Sequence, residues 1–170
     1  EFLGDDRILV LTKDGKFRLS SFELTNHYLE DIYRIEKFDA NKIFTCIYND
    51  ADQGFIYLKR FQIDGSTNGR IQSFMGDNPD SKLIILSDHL FPLFEIRFGG
   101  SHADREKELI EAVEFIALKS YKARGKRLTN LEVKKVVEKD PQEPTDELIT
   151  LHYGEDFLKQ EPPEVNEEAE

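Results

Sequence analysis

A single cysteine, Cys46, stands in the 170 residues, so no internal disulfide can form, and this fits a reducing cytosol. No apolar run approaches the ~18 residues that a membrane-spanning helix needs. The amino terminus lacks a methionine, a basic start and an apolar signal core. It opens at Glu1-Phe2-Leu3, close to a strand pattern, and reads as a piece excised from a longer protein. Catalytic signatures are missing as well. There is no Gly-x-x-x-x-Gly-Lys-Ser/Thr to cradle a phosphate, no Gly-x-Ser-x-Gly and no His-Glu-x-x-His. The four histidines, His27, His89, His102 and His152, are scattered. His102 and Asp104 are two apart in a stretch that a loop explains better than a metal ligand pair. Cys46 sits in an apolar strand pattern as a core residue. The pairs Asp50/Asp52 and Asp77/Asp80 lie in turn-like stretches, where aspartate commonly caps backbone amides. Nothing here makes an autonomous active site.

What is present begins with charge, and it is unevenly spread. The formal net charge is -11, yet residues 138–170 hold twelve acids against two bases, and the remainder is close to neutral. Block charge of this kind marks an interaction tail more than a packed element. The opposite sign is concentrated in "KSYKARGKRLTNLEVKK", from Lys119 to Lys135, with seven Lys and Arg against Glu132. Hydrophobic residues make up a modest 39%, but 13 Phe and 6 Tyr supply bulky material for a compact core once the tail is set aside.

Four segments share one shape: an apolar strand, a polar turn, then a strand mixing bases with aromatic or aliphatic residues. They are "RILVLTKDGKFRLSSFEL", "KIFTCIYNDADQGFIYLKRFQI", "KLIILSDHLFPLFEIRF" and "VEFIALKSYKARGKRLTNLEV". Aligned on Gly15, Gly54, Leu90 and Gly125, the turns recur at intervals of 39, 36 and 35 residues. A period near forty with a hairpin in each unit points to propeller-like blades. Asp14-Gly15 is a hairpin signal, because glycine accepts the positive φ such turns require. "FIYLKRFQI" is rich in residues that suit a pleated surface. The aromatics Phe17, Phe22, Phe55, Tyr57, Phe61, Phe91, Phe94 and Phe98 alternate within strand patterns and so read as core before base-stacking platforms. "DGSTNG" and "GDNPDS" read as loops. Propensity favours helix over residues 104–118, whereas the repeat predicts strand from about Val113, and we follow the repeat. "ELITLHY" is open between a closing strand and a docking segment borne by the tail. The last ten residues read as disordered.

Bases cluster at the repeated turns. Lys13, Lys16 and Arg18 flank the first, Lys59 and Arg60 follow the second on its outer strand, and Arg97 lies in the third unit. Lys119, Lys122, Arg124, Lys126 and Arg127 surround the fourth. Radially arranged units would carry equivalent turns to one rim, and an arc of bases there could hold and bend a duplex through its phosphates alone. Neutralising ~5 to 8 phosphates gives a slope of log K against log salt of roughly -4 to -7. Ordinary solvated hairpin charge is the plainer alternative, and it leaves a propeller-like protein-interaction scaffold as the rival function.

"ILVLTKDGKFRLSSFEL", "GFIYLKRFQI" and above all "EFIALKSYKARGKRLTNLEV" resemble the C-terminal domain of the A subunit of bacterial type IIA topoisomerases, closer to topoisomerase IV than to gyrase. The resemblance covers roughly residues 5–137. It implies an all-β, propeller-like β-pinwheel of about three to four blades, over residues 1–137, followed by an acidic and partly disordered tail over residues 138–170. It also implies a DNA-binding rim made of Lys13, Lys16, Arg18, Lys59, Arg60, Lys119, Lys122, Arg124, Lys126 and Arg127, which bends duplex DNA while strand passage is catalysed elsewhere. The glutamine- and glycine-rich basic box of the gyrase version is absent, which argues against full wrapping. None of the six Tyr lies in a context matching the active-site tyrosine, so this stretch is not expected to cleave DNA. ATP and Mg²⁺ are expected for the complete enzyme and no cofactor here. Implied partners are duplex DNA, a second A subunit, plus an ATPase subunit, in a bacterial cytoplasm at the nucleoid. The tail would either compete with phosphates for the rim or act as a solubiliser.

Overall fold

The computed structural model describes residues 7–21, 31–66 and 69–159. In chain order the strands are β1 (Arg7–Thr12), β2 (Lys16–Ser21), β3 (Ile32–Lys37), β4 (Phe44–Asp50), β5 (Phe55–Gln62) and β6 (Gln72–Ser73). They continue as β7 (Lys82–Ser87), β8 (Leu93–Phe98), β9 (Glu108–Glu111), β10 (Lys119–Ser120), β11 (Lys126–Arg127) and β12 (Val133–Lys139). Helices are short: α1 (Ala112–Phe115), α2 (Asp146–Tyr153) and α3 (Glu155–Leu158). The expected all-β class holds.

The strands form three sheets, ordered β3-β1-β2-β6, β10-β5-β4-β7 with β11 also beside β5, and β12-β8-β9. The second sheet is the middle layer, because both faces of β4 and β5 are buried. Alternation along the strands divides their side chains between two cores. Phe44, Cys46, Tyr48, Tyr57 and Phe61 pack with Leu9, Leu11, Phe17 and Leu19 of the first sheet. Ile47 and Leu58 pack with Phe94, Ile96 and Phe98 of the third. A strand buried on both faces must be apolar at successive positions, which explains the run "FTCIY", apolar apart from the buried Thr45.

Two of the four expected turns are hairpins. Gly15 and Gly54 have φ of +80° and +74° and link antiparallel neighbours. The third turn is not a hairpin. β7 pairs with β4 in the middle sheet while β8 pairs with β9 and β12 in the third, so the chain crosses between sheets at Leu90. The fourth is not one either, since β10 and β11 both lie against β5, one parallel and one antiparallel. Gly125 is needed there for closeness, as an added Cβ would stand 2.7 Å from the Leu58 carbonyl oxygen. Strands handed from one sheet to the next in this way are what a β-pinwheel calls for.

Further corrections concern the chain's second half. The strand expected from about Val113 is instead the single turn of α1, preceded by β9. Of the two alternatives for "ELITLHY", the structure has the docking segment and not the strand: it is α2, tied to the body through Tyr153. The Thr145 hydroxyl accepts the Leu148 N–H at 3.3 Å, Asp146 and Glu147 fill the first turn, and Gly154 at φ +87° ends it. The final residues expected to be disordered lie outside the described residues, as do Phe22 and His27.

Candidate nucleic-acid interface

Register decides which turns meet. At the end of the first sheet away from Gly15, the Arg7 carbonyl accepts the Phe38 N–H at 2.9 Å, and the Arg7 guanidinium donates to the Gly65 carbonyl at 2.6 Å. Those partners lead to the start of β4 and the end of β5. The Gly15 and Gly54 turns therefore share one end of the molecule. Ser87 pairs with Thr45 at the start of β4, so the Leu90 crossing lies at the opposite end, about 20 Å away along a strand of this length.

The turn end is joined by a segment that sequence reading passed over. Met75 lies directly beneath Gly15, where an added Cβ would fall 2.3 Å from its Cε, and the Phe74 N–H donates to the Gly15 carbonyl at 3.0 Å. Met75 and Gly76 then line a recess of about 150 Å³ with Tyr48, Asp50, Asp52, Lys59, Lys122, Ala123 and Arg124. Lys13 and Lys16 of the first turn are thereby linked through Met75 to Lys122 and Arg124 of the fourth, all four exposed, and Lys122 also acts on Asp64 beyond the other end of β5. Acids are interleaved with them. Asp14 lies 3.5 Å from Lys16, and buried Asp50 accepts the Asp52 N–H at 2.9 Å in the turn-capping role expected of it.

The other site residues divide differently. Lys119 and Lys126 are exposed, while Arg18 and Arg127 are half-buried. Lys119 pairs with Phe61 at the far end of β5, so the 119–127 loop runs the length of that strand. Lys126 sits 4.4 Å over the Phe115 ring, and the Arg127 guanidinium 4.0 Å over Phe55 with a 2.8 Å bond to Asn130. Lys134 and Lys135 belong to β12 of the third sheet, so the seven-base stretch is split between two places.

Lys59 and Arg60 are not on the rim. They are 2% and 3% exposed, on the central strand, facing opposite cores. Each is held by backbone oxygens, which offsets the cost of burying charge. The Lys59 ammonium donates to the Phe74 carbonyl at 2.7 Å and to the Tyr121 carbonyl. Burial brings its pKa down to about 8, against a small opposing pull from Cys46, whose own thiol burial pushes up to about 12. Arg60 donates to the Ile116 carbonyl at 3.0 Å and to the Tyr153 hydroxyl of α2. That hydroxyl in turn donates to the Leu90 carbonyl at 2.7 Å. Phe91 flanks Tyr153 at 5.6 Å and His152 at 5.7 Å, and Ile149 is buried beneath the helix. The first residues of the acidic segment, Glu138 and Lys139, still belong to β12, so the boundary expected after residue 137 falls inside a strand. The segment thus carries a helix docked at the end away from the Gly15 and Gly54 turns. Among the described residues no group of three or more His, Cys, Asp or Glu could hold a metal ion.

A family model described as "Topoisomerase C-terminal domain, Bacteroidota" matches residues 1–140. The chain is 30% identical over 153 residues to the A subunit of DNA topoisomerase 4 from Borreliella burgdorferi, a match covering 80% of this chain and 22% of that protein. It therefore spans about a fifth of that relative's length. Among solved structures it is similar to the C-terminal domain of DNA topoisomerase IV, with a TM-score of 0.48 and 11% identity over 82% of this chain and 48% of the other. The E. coli ParC C-terminal domain matches with a TM-score of 0.44 and 15% identity over 82% of this chain and 63% of that one.

Proposed function

The chain belongs to the family of bacterial topoisomerase C-terminal domains, and on that premise we propose that it binds and bends duplex DNA without reading sequence, guiding a substrate segment for strand passage catalysed in other parts of a topoisomerase IV-like A subunit. The observation that carries this reading is that Met75 joins the first turn, which bears Lys13 and Lys16, to the recess lined by Lys122 and Arg124, more than a hundred residues further along the chain. The described residues offer short turns and loops there. Such elements suit contact with phosphates more than insertion of a helix into a major groove. ATP and Mg²⁺ would act in the other domains and the ATPase subunit, with a second A subunit completing the assembly in the bacterial cytoplasm.

Removing Lys59 and Arg60 from the rim lowers the expected number of phosphate contacts to about 4 to 6, and so the slope of log K against log salt to roughly -4 to -5. Fluorescence anisotropy of a ~40-base-pair duplex over a salt series tests the reading. Micromolar or tighter binding at low salt is expected, and the Lys13/Lys16/Lys122/Arg124→Ala variant should lose most of it. No binding by the unaltered chain at low salt overturns the DNA reading and leaves the scaffold. A chain ending at Lys159 retains α2 and isolates the effect of the acidic residues beyond it; tighter binding by that chain is expected if they compete with phosphates.

A further inference from the structure

We infer that Lys59 is a positioning residue for DNA binding, a buried ammonium that holds the two halves of the basic cluster together without touching the duplex; this rests on the DNA-binding reading above. Its Nζ donates to one carbonyl in each of two segments that no strand pairing joins at that point: Phe74, just after β6, and Tyr121, between β10 and β11. Each segment carries one half of the cation cluster. Phe74 leads into Met75, on which the Gly15 turn with Lys13 and Lys16 rests. Tyr121 immediately precedes Lys122 and Arg124, and its ring meets Phe17 edge-on at 4.9 Å. β5 pairs with the loop only at Lys119–Ser120 and Lys126–Arg127, so residues 121–125 bridge the gap between. Within that gap, among the described residues, the hydrogen bonds between the body and the loop backbone are those of Lys59 to Tyr121 and of the Gly125 N–H to the Tyr48 hydroxyl at 3.2 Å. An apolar residue at 59 would fill the space but leave two buried carbonyls without a donor, and the loop would shift to hydrate them.

The groups around Lys59 are Cys46, Tyr48 and Asp50 on β4, Tyr57 on β5, and Asp52 in the following turn. Tyr121, Lys122 and Arg124 face it from the loop, and the first sheet presents the apolar Leu11 and Phe17 to the same core. The Cys46 thiol and the Tyr48 hydroxyl, both raised to about 12 by burial, stay neutral through pH 9. The Lys59 amine, its pKa brought down to about 8, is charged at pH 7 and largely neutral at pH 9, where two N–H donors remain for the two carbonyls.

Lys59→Met in the 170-residue chain is the direct test, read by duplex affinity over a salt series beside unaltered protein and Lys13→Ala. Loss of one contacting cation makes the slope shallower by about 0.9. Displacement of the loop should remove Lys122 and Arg124 together, giving a slope shallower by about 1.8 and affinity weakened about 10- to 100-fold near 0.1 M salt. A folded variant with unchanged slope and affinity overturns the inference, and so does a change of about 0.9, which would mean direct contact. Should Lys59→Met not fold, Lys59→Gln carries the test, because its amide, one carbon shorter, cannot span both the Phe74 and the Tyr121 carbonyl. A slope shallower by about 1.8 in that variant supports the inference, and one unchanged, or changed by no more than about 0.9, overturns it. Absence of binding by the unaltered chain at pH 7 would instead be the failure of the DNA reading itself.

Discussion

The two faces of the middle sheet carry adjacent cations with contrasting tasks. On the face packed against the first sheet, Lys59 lies among Phe61, Phe74 and Tyr121 and is tied to the loop that bears the exposed bases. Facing the third sheet, Arg60 lies under Tyr153 and is tied to the helix carried by the acidic segment. They are consecutive on β5, and alternation sends them to different layers. The lesson is that a basic pair on a strand need not be a basic patch. When both faces are covered, each cation becomes an anchor for whatever element needs its carbonyls satisfied. The basic loop and the acidic helix are held by the same device from opposite sides.

The contrast can be broken on either face. The largest effect is expected at Gly125, where a methyl group would meet the Leu58 carbonyl oxygen at 2.7 Å and the Tyr48 hydroxyl at 3.1 Å. Both belong to the middle sheet, so the loop must move. Gly125→Ala should cost about 1–3 kcal/mol in denaturant unfolding and weaken DNA binding with it. Tyr153→Phe acts on the other face, leaving the Leu90 carbonyl without its 2.7 Å donor and Arg60 without one acceptor. About 1 kcal/mol is expected, together with faster proteolysis within α2 and unchanged duplex affinity. A loss of affinity there would show the two faces to be coupled.

The smallest effect lies at Asp88, beside the Leu90 crossing. Burial alone would raise its pKa, but hydrogen bonds from Arg34 and Lys42 outweigh this and lower it. Arg34 reaches it at 2.7 Å and Lys42 at 3.1 Å, joining β3 of the first sheet to the end of β7. A carboxyl lowered on folding stabilises the fold above its unfolded pKa, and that contribution is lost as pH falls through the lower folded value. The pair is partly exposed, so no more than about 1 kcal/mol is at stake. Asp88→Asn should flatten the acid limb of the stability curve below about pH 4 and leave duplex affinity unchanged.

The turns at Gly15 and Gly54, the apolar strands and the aromatic core were all legible in the residues. The cap of α2 was legible too. Thr145 followed by Asp146 and Glu147, with Gly154 nine residues after Thr145, is a helix written out at both ends. "ELITLHY" stayed open between a closing strand and a docking segment because its apolar content was weighed without those stops. Leu90 looked like a hairpin turn because its spacing matched the others. Whether two successive strands pair with each other or with strands distant in the chain is not a local property. The same is true of β10 and β11, which share β5 as partner and ignore each other.

The order of residues alone determined that this chain makes β-sheets with polar turns, that its bases recur near those turns, and that its acids gather toward the end. These follow from short-range chemistry: alternation, glycine's freedom at positive φ, and the solvation of charge. Tertiary structure decided which bases reach solvent and which are buried as anchors. It also decided that Met75 would join the first turn to the fourth, and that the acidic segment would dock as a helix. Those outcomes depend on how three sheets stack, because only the layer covering a face determines whether a side chain on it meets water, a carbonyl or another core.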